Sequence, residues 1–188
     1  MRVISGRAAG RRLIGPGRLS LRPTSDRVRE GLFSILGESA QDQAVLDLYA
    51  GVGTLGIEAL SRGAARAVFV EKDRRAARVL KKNIEKMGFS GQAEVLNETV
   101  ARALGRLGAR GKEFALVLAD PPYGKGEARR GVELVAASEV LLAGGILVME
   151  HRRKKEIPGE WKDLERVREA RYGDTCLTFY HREEASSA

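Results

Sequence analysis

The sequence predicts an α/β fold in which a largely parallel sheet is covered by helices. Short, continuous apolar segments alternate with stretches whose apolar residues recur at helical spacing, which is typical of parallel sheets with right-handed crossovers. The first of these apolar segments leads directly into a glycine-rich loop. The length of 188 residues fits one domain with at most a small appendage.

The strands and helices of this sheet follow one another regularly from residue 44. Apolar segments typical of buried strands cover residues 45–49, 67–70, 93–96, 114–119 and 146–149. Helices are predicted over residues 54–61, 74–86, 100–107 and 132–142, and Gly144 and Gly145 are expected to end the last of them. Residues 164–167 and 176–180 are expected to form an antiparallel hairpin at the edge of the sheet, with Cys176 as a packing residue.

One further helix precedes the sheet. Ser25 or Asp26 can cap this helix, Arg27 begins its first turn, and Gly37 ends it. Between these residues the apolar side chains recur at helical spacing, so one face of the helix is expected to pack on the domain.

The composition excludes several classes of protein. No run of about 18 apolar residues is present, so no membrane-spanning helix is expected. The single cysteine rules out an internal disulfide, and neither it nor the two histidines have the spacing of a metal site. We therefore expect a cytoplasmic protein without a bound metal, and a monomer is the default expectation.

The charge is strongly basic and unevenly distributed. The chain has 33 Lys and Arg against 25 Asp and Glu, a net charge of +8, which favours a polyanionic partner. Residues 1–22 hold six arginines and no acidic residue. Residues 2–5 and 11–14 can pair as a short β-hairpin, so residues 1–22 are interpreted as a basic extension that clamps nucleic acid. A flexible basic tail is the alternative.

The loop after the first strand indicates an adenosine-containing cofactor. Gly51, Gly53 and Gly56 satisfy the G-x-G-x-x-G pattern between a strand and a helix, where backbone N–H groups approach a ligand closely. Glu71 follows the second strand, 20 positions after Gly51, where a carboxylate can accept both ribose hydroxyls. NAD and S-adenosylmethionine both suit such a loop. Asp47 favours S-adenosylmethionine, because a carboxylate there would attract an α-amino group and repel a pyrophosphate.

A second motif ends the fourth strand. Two prolines in the run Asp120-Pro121-Pro122-Tyr123 cannot continue a strand, so the chain must turn at the carboxyl edge of the sheet, where open α/β sheets bind ligands. A carboxylate, proline carbonyls and a tyrosine ring would meet there, and they suit a planar base with an exocyclic amine. The alternative is a simple strand-ending turn with a surface tyrosine.

Four segments resemble one protein family when they are taken in order. They are RPTSDRVREGLF (22–33), LDLYAGVGTLGIEALSRGA (46–64), FVEKD (69–73) and DPPY (120–123). Together they resemble the RsmD family of bacterial 16S ribosomal RNA guanine-N2 methyltransferases, and the resemblance covers nearly the whole chain. It implies a class I methyltransferase fold, whose Rossmann-like seven-stranded sheet has the order 3-2-1-4-5-7-6 with the last strand antiparallel. It also implies S-adenosyl-L-methionine as methyl donor and a guanine of 16S rRNA, in the small ribosomal subunit or an assembly intermediate, as acceptor.

The same resemblance implies roles for individual residues. The methionine half of the cofactor would lie against Asp47, Tyr49, Ala50, Gly51 and Gly53, with Glu71 on the ribose and Lys72 beside the adenine. Thr24 and Arg27 would close over the cofactor, and Asp120, Pro121, Pro122 and Tyr123 would hold the target base. Many relatives place an acid on the adenine amine, but this chain has Thr99 and Val100 there, with Glu98 adjacent. Adenine recognition would then rest on backbone groups or on Glu98.

Basic residues outside the motifs are candidates for RNA binding. The set comprises Arg2, Arg7, Arg11 and Arg12 near the start of the chain, Lys125, Arg129 and Arg130 after the diproline turn, and Arg152 and Arg153 after the fifth strand. We expect these residues to surround the pocket, although such charge runs are also typical of solvated faces.

Other functions compete with this interpretation. A DNA adenine-N6 or cytosine-N4 methyltransferase would use the same corner, and a non-catalytic RNA-binding assembly factor could keep the fold. A cytosine-C5 methyltransferase is set aside, because it needs a cysteine beside the base and Cys176 lies in the terminal hairpin. The predicted organisation is a basic extension (1–22), a methyltransferase domain (23–182) and a frayed tail (183–188).

Overall fold

The structure is a computed structural model that describes residues 1–15, 17, 25–122, 124, 126–153 and 157–183. Its strands are β1 (Ala44–Leu48), β2 (Arg66–Val70), β3 (Ala93–Leu96), β4 (Phe114–Ala119), β5 (Leu141–Arg152), β6 (Glu160–Trp161), β7 (Leu164–Tyr172) and β8 (Thr175–Arg182). They form one sheet of order β3-β2-β1-β4-β5-β8-β7-β6. The first five strands are parallel to one another, whereas β8 runs antiparallel to both β5 and β7.

This topology confirms the predicted fold class. With β8 and β7 as the seventh and sixth strands, the order is the one that the resemblance implied. The strand count differs, because two residues of β6 pair with the start of β7 and add an eighth strand at the edge. The predicted terminal hairpin is present as β7 and β8, and Cys176 is buried on β8.

Helices cover both faces of the sheet. They are α1 (Asp26–Leu36), α2 (Thr54–Ser61), α3 (Arg74–Met87), α4 (Val100–Gly108) and α5 (Glu127–Ala136). Apolar side chains of α1, α2 and α3 form one buried cluster with the sheet, and those of α4 and α5 form another on the opposite face. None of the helices in the described part of the chain is long and apolar enough to cross a membrane.

The boundary between α5 and β5 differs from the sequence prediction. The predicted helix over 132–142 in fact begins at Glu127 and ends at Ala136, and β5 already starts at Leu141. Gly144 and Gly145 therefore lie inside β5, where the register against β4 shifts between Phe114 and Leu116. Gly144 has a φ of 73° in this irregular stretch, so the glycine pair marks a strand irregularity rather than a helix end.

The carboxyl end of the domain is fixed by Arg182. Its guanidinium is buried and donates to Leu141 O (2.8 Å), Ser138 O (3.2 Å) and Ala136 O (3.3 Å), and it pairs with Asp163 at 2.6 Å. These bonds satisfy carbonyls at and just beyond the carboxyl end of α5, where a cation also complements the helix dipole. Of the predicted frayed tail, Glu183 N donates to Asp163 O, and residues 184–188 lie outside the described residues.

The amino-terminal segment (residues 1–15) is closed by a single antiparallel bridge, Arg2–Arg12, around a 3-10 turn at Gly6–Ala8. The two-stranded hairpin predicted over 2–5 and 11–14 is limited to this bridge. The reason is that backbone groups of both arms bond to the domain instead. Ile4 N and Ser5 N donate to the Glu58 carboxylate, at 2.8 and 3.0 Å, and Ile14 N donates to Asn83 Oδ1 at 2.7 Å. Val3, Ala8 and Leu13 are buried, so the segment is packed onto the domain.

Candidate active site

A cavity of about 520 Å³ lies at the carboxyl edge of the sheet, where β1, β2 and β4 end. This is the edge at which open α/β sheets bind ligands. Most of the predicted site residues line it: Asp47, Tyr49, Ala50, Gly51, Glu71, Lys72, Glu98, Thr99, Val100, Asp120, Pro121, Pro122 and Arg130. The glycine loop and the diproline corner therefore open into one space.

Asp47 is the most deeply buried acid of this cavity. Its side chain is only 1% exposed, and Oδ2 accepts a hydrogen bond from Gly56 N at 2.8 Å. Burial, with the charge of Glu71 acting in the same direction, raises the pKa of Asp47 to about 7, although the bond from Gly56 acts against this. A cation bound beside Asp47 would favour its ionised form, so the site is suited to an ammonium group.

The glycines shape the loop more than they contact the cavity. Gly53 is the N-cap of α2 with a φ of 94°, and a Cβ there would lie 2.4 Å from Leu80 Cδ1. A Cβ on Gly56 would lie 2.3 Å from Phe69 Cε1. Gly51 lines the cavity, whereas Gly53 is not among its lining residues and serves the turn and the packing of α2; a contact of Gly53 with a cofactor stays a prediction.

Glu71 holds the glycine loop to the end of β2. Its Oε2 accepts from Gly51 N at 2.8 Å, and its Oε1 accepts from Asp73 N at 2.7 Å. A carboxylate has about four acceptor positions, so two remain for ligand hydroxyls. The side chain of Asn97 supports this corner by donating to Glu71 O at 2.7 Å.

Two of the residues proposed for adenine recognition are engaged in the fold. Thr99 is the N-cap of α4, and its hydroxyl accepts from Arg102 N at 3.4 Å. The Glu98 carboxylate pairs with Arg106 at 2.7 Å and with Arg102 at 3.4 Å. Because both side chains already have protein partners, the backbone at the start of α4 is the better candidate for contacts with adenine.

The diproline corner directly follows β4 and lines the cavity. Asp120 is half-buried, Pro121 is buried and Pro122 is exposed, and Gly124 N donates to Pro122 O at 2.6 Å. The turn is therefore closed by its own backbone. Tyr123, which was predicted to stack on the base, lies outside the described residues.

Helix α5 brings residues to the site that the sequence analysis did not assign to catalysis or cofactor binding. Glu127 and Arg130 line the cavity together with Tyr49. Burial raises the pKa of Tyr49 to about 12, with the charge of Glu127 in the same direction and that of Arg130 against it. No local sequence pattern indicates Glu127, because its place at the cavity depends on where α5 begins relative to the diproline corner.

Other lining residues were also missed. They are Val52, Thr54, Leu55, Val70, Asp73, Ala101 and Leu134. Val52, Thr54 and Leu55 belong to the glycine loop and the start of α2, so the motif itself could have indicated them. Asp73 was detectable as the N-cap of α3, where its Oδ1 accepts from Ala76 N at 2.9 Å.

The amino-terminal arginines do not surround the cavity. Arg7 donates to Leu60 O at 3.3 Å at the end of α2, and Arg11 donates to Met87 O at 3.1 Å at the end of α3. Both helices begin at the cavity, so their carboxyl ends lie towards the opposite edge of the sheet. Arg7 and Arg11 therefore lie away from the pocket, because their guanidiniums bond to these helix ends, and their binding of RNA stays a prediction.

The other residues predicted to bind RNA or to close over the cofactor lie on several different elements. Arg2 lies 4.0 Å from the Asp26 carboxylate, and Arg12 is exposed beside α3. Arg129 pairs with Glu133 at 2.8 Å and stacks over Trp161. Arg152 is the last residue of β5, and Arg153 follows it. Arg27 lies exposed in the first turn of α1 and is not among the residues that line the cavity, and Thr24 and Lys125 lie outside the described residues.

Among the described residues, no cluster of His, Cys, Asp and Glu could hold a metal ion. His151 instead bonds through Nε2 to the Thr178 hydroxyl at 2.9 Å.

A family model and several known proteins match nearly the whole length of this chain. A family model described as "Conserved hypothetical protein 95" matches residues 1–181. The YlbH protein of Bacillus subtilis strain 168 is 37% identical over 180 residues, 96% of this chain and 98% of that protein. The ribosomal RNA small subunit methyltransferase D of Escherichia coli K12 is 34% identical over 183 residues, 97% of this chain and 90% of the relative.

A solved structure agrees with these matches. The yhhF protein of Escherichia coli superposes with a TM-score of 0.86 at 32% identity, and the match covers 97% of this chain and 98% of that one. Because the family model and the relatives extend over nearly the whole sequence, the chain belongs to the RsmD family, whose model bears the description "Conserved hypothetical protein 95".

Proposed function

We propose that this chain is an S-adenosyl-L-methionine-dependent methyltransferase that methylates the exocyclic N2 of a guanine in 16S rRNA. The observation that carries the proposal is the single cavity shared by Asp47, Glu71 and the Asp120–Pro122 corner. A donor and an acceptor bound at its two ends could meet directly, which suits a one-step transfer. The name of the Escherichia coli relative supports small-subunit rRNA as the substrate class, and the substrate particle would be the small subunit or an assembly intermediate.

The donor half fits this cofactor better than a dinucleotide. Asp47 would hold the α-ammonium group, and Glu71 would accept the ribose hydroxyls while it keeps Gly51 in place. A pyrophosphate would instead meet two buried carboxylates, which is electrostatically unfavourable. When bound, the cofactor supplies a methyl group on a positively charged sulfur.

The acceptor half would activate a weak nucleophile. The lone pair of an exocyclic amine is delocalised into the ring, and hydrogen bonds from the amine to Asp120 and a proline carbonyl favour a tetrahedral nitrogen. Asp120 or bulk water would take the proton that the nitrogen loses. Because these acceptors are fixed in the turn, they need no rearrangement as charge develops.

Arg130 supports guanine over adenine as the acceptor. It lines the same cavity as the corner, and an arginine pairs well with the O6 and N7 acceptors of guanine. Adenine presents an N6 donor at the place of O6, so the same arginine would repel it. The DNA adenine-N6 alternative therefore fits this cavity less well.

The role of Asp120 can be tested by substitution. Asp120→Ala should abolish methyl transfer to 30S particles, because the amine loses its acceptor, while S-adenosylhomocysteine still binds in calorimetry. Glu94→Ala, an exposed acid on β3, is the matched control and should retain the parental rate. Transfer by Asp120→Ala at near the parental rate would contradict the proposed role.

The substrate class is tested with the unmodified protein. Tritiated methyl groups should enter 30S particles rather than duplex DNA, and label in DNA alone would favour the DNA methyltransferase alternative. The non-catalytic alternative predicts that the protein does not bind the cofactor. The absence of binding at millimolar S-adenosylmethionine in calorimetry would therefore favour this alternative.

A further inference from the structure

The exposed face of α3 carries a row of cations that the catalytic site does not use. Arg74, Arg78, Lys82 and Lys86 follow one another at intervals of four residues, and all four are exposed. Residues four apart lie on one side of a helix. Arg75 and Lys81 add two more exposed cations, while Glu85 is the only acidic residue of the helix.

This row is unfavourable for the helix itself. Like charges at a spacing of four residues destabilise an isolated helix, and cations in the first turn, such as Arg74, oppose the helix dipole. Among the ion pairs formed by the described residues, none includes a cation of α3. Apart from the hydrogen bond that Lys86 donates to Arg12 O, the described residues give the row no partner within the fold, which is consistent with an external anionic partner.

The amino-terminal segment extends the same surface. Lys86 Nζ donates to Arg12 O at 2.7 Å, and Arg11 donates to the backbone carbonyls of Lys86 and Met87. Asn83 also bonds to Ile14 N at 2.7 Å. These bonds hold the exposed Arg12 beside the last turn of α3, so the helix and the segment present one basic face.

The other end of the row reaches the cavity. Lys72 and Asp73, which line the cavity, directly precede Arg74. From Arg74 to Lys86 the helix rises about 18 Å, at 1.5 Å per residue. A strand lying along this face would thus have one end near the mouth of the cavity.

We propose that the face formed by Arg74, Arg78, Lys82, Lys86 and Arg12 is a docking surface for the phosphate backbone of the substrate RNA. This inference rests on the proposed function. The surface supplies position and affinity rather than base choice, because phosphate contacts carry no sequence information.

The chemistry of this face favours RNA over an acidic protein. Protein interfaces have an apolar, aromatic-rich core, and α3 exposes no large hydrophobic side chain in the described structure, where only Ile14 and Val167 are exposed in that way. Several arginines and lysines without such a core are typical of backbone recognition.

The test is the double variant Arg78→Gln/Lys82→Gln in the full chain, since glutamine keeps the helix propensity. The control is Arg110→Gln/Lys112→Gln, which loses the same charge from two exposed residues after α4. Binding to a 16S rRNA transcript and to 30S particles is measured from 50 to 200 mM salt. Loss of two phosphate contacts should lower the slope of log affinity against log salt concentration by roughly 1.4 to 1.8. Between 50 and 200 mM salt, the affinity of the variant should therefore fall by a factor about tenfold smaller than that of the parental protein.

The outcomes separate this inference from the proposed function. The inference is supported if the salt slope falls by this amount in the α3 variant, but not in the control, with both the transcript and the 30S particles. The binding of S-adenosylhomocysteine should stay unchanged in both variants. The inference is overturned if the α3 variant and the control behave alike although the parental protein methylates 30S particles. It is also overturned if the defect appears with particles but not with the transcript, since the face would then contact a ribosomal protein. Failure of the parental protein to methylate 30S particles would instead refute the proposed function.

Discussion

Asn83 links three parts of the molecule that lie far apart in the sequence. Its side chain is fully buried on α3, where Oδ1 accepts from Ile14 N at 2.7 Å. Its Nδ2 donates to Ile14 O at 3.0 Å and to Val52 O at 2.9 Å. Because Val52 belongs to the glycine loop and lines the cavity, the same amide fixes the amino-terminal segment and the cofactor site.

The variant Asn83→Ala removes all three hydrogen bonds. A hydrogen bond contributes about 1 kcal/mol net, so we expect the free energy of unfolding to fall by about 3 kcal/mol. Release of Val52 should also weaken the binding of S-adenosylhomocysteine. Urea unfolding followed by circular dichroism measures the first effect, and calorimetric titration measures the second.

The matched control is Glu85→Ala, an exposed residue two positions along the same helix. Its free energy of unfolding should stay within about 0.5 kcal/mol of the parental value. A loss below about 1 kcal/mol in Asn83→Ala would refute the reasoning, because the amide would then contribute no more than a surface residue. A full loss of stability with unchanged ligand affinity would refute only the link to the glycine loop.

Three further predictions concern buried ionisable groups. Burial raises the pKa of Asp47 from 3.8 to about 7, so its protonated form is favoured in the ligand-free fold. The free energy of unfolding should therefore decrease as the pH rises from about 4 to about 7, and urea melts should show no such contribution in Asp47→Asn. Glu71→Gln leaves one acceptor for two backbone donors, so it should lower the free energy of unfolding by about 1–3 kcal/mol in urea melts and weaken S-adenosylhomocysteine binding in calorimetry. Arg182→Met should destabilise by about 2–3 kcal/mol in thermal melts, because carbonyls at the end of α5 lose their donor.

The parts of the fold that could be predicted from the sequence are those with local signals. Continuous apolar runs marked β1 to β4, and the glycine spacing marked the loop before α2. The start of β5 could not be predicted, because the apolar residues around Leu141 suit a helix as well as a strand. Leu141 belongs to a strand because it pairs with Phe114 on β4, a contact that the local sequence does not indicate.

In the candidate site, too, the features with local sequence signals could be predicted, and those that depend on contacts between elements could not. Asp47 lies near the end of β1, and Glu71 and Asp120 directly follow β2 and β4, so their meeting at one edge could be predicted. The engagement of Glu98 by Arg102 and Arg106 could not, since it depends on how α4 presents its first two turns. Adenine recognition by this acid was a reasonable expectation from position, and the ion pairs argue against it.

The contacts of the amino-terminal arginines could not be predicted from the charge of the sequence. Arg7 and Arg11 were assigned to RNA because residues 1–22 are basic, yet their guanidiniums bond to the ends of α2 and α3. Glu58, only 1% exposed, accepts from the backbone of the same segment and pairs with Arg62 at 2.9 Å. A mobile clamp would not need a buried carboxylate to hold its backbone. We therefore infer that the segment braces the helices beside the glycine loop.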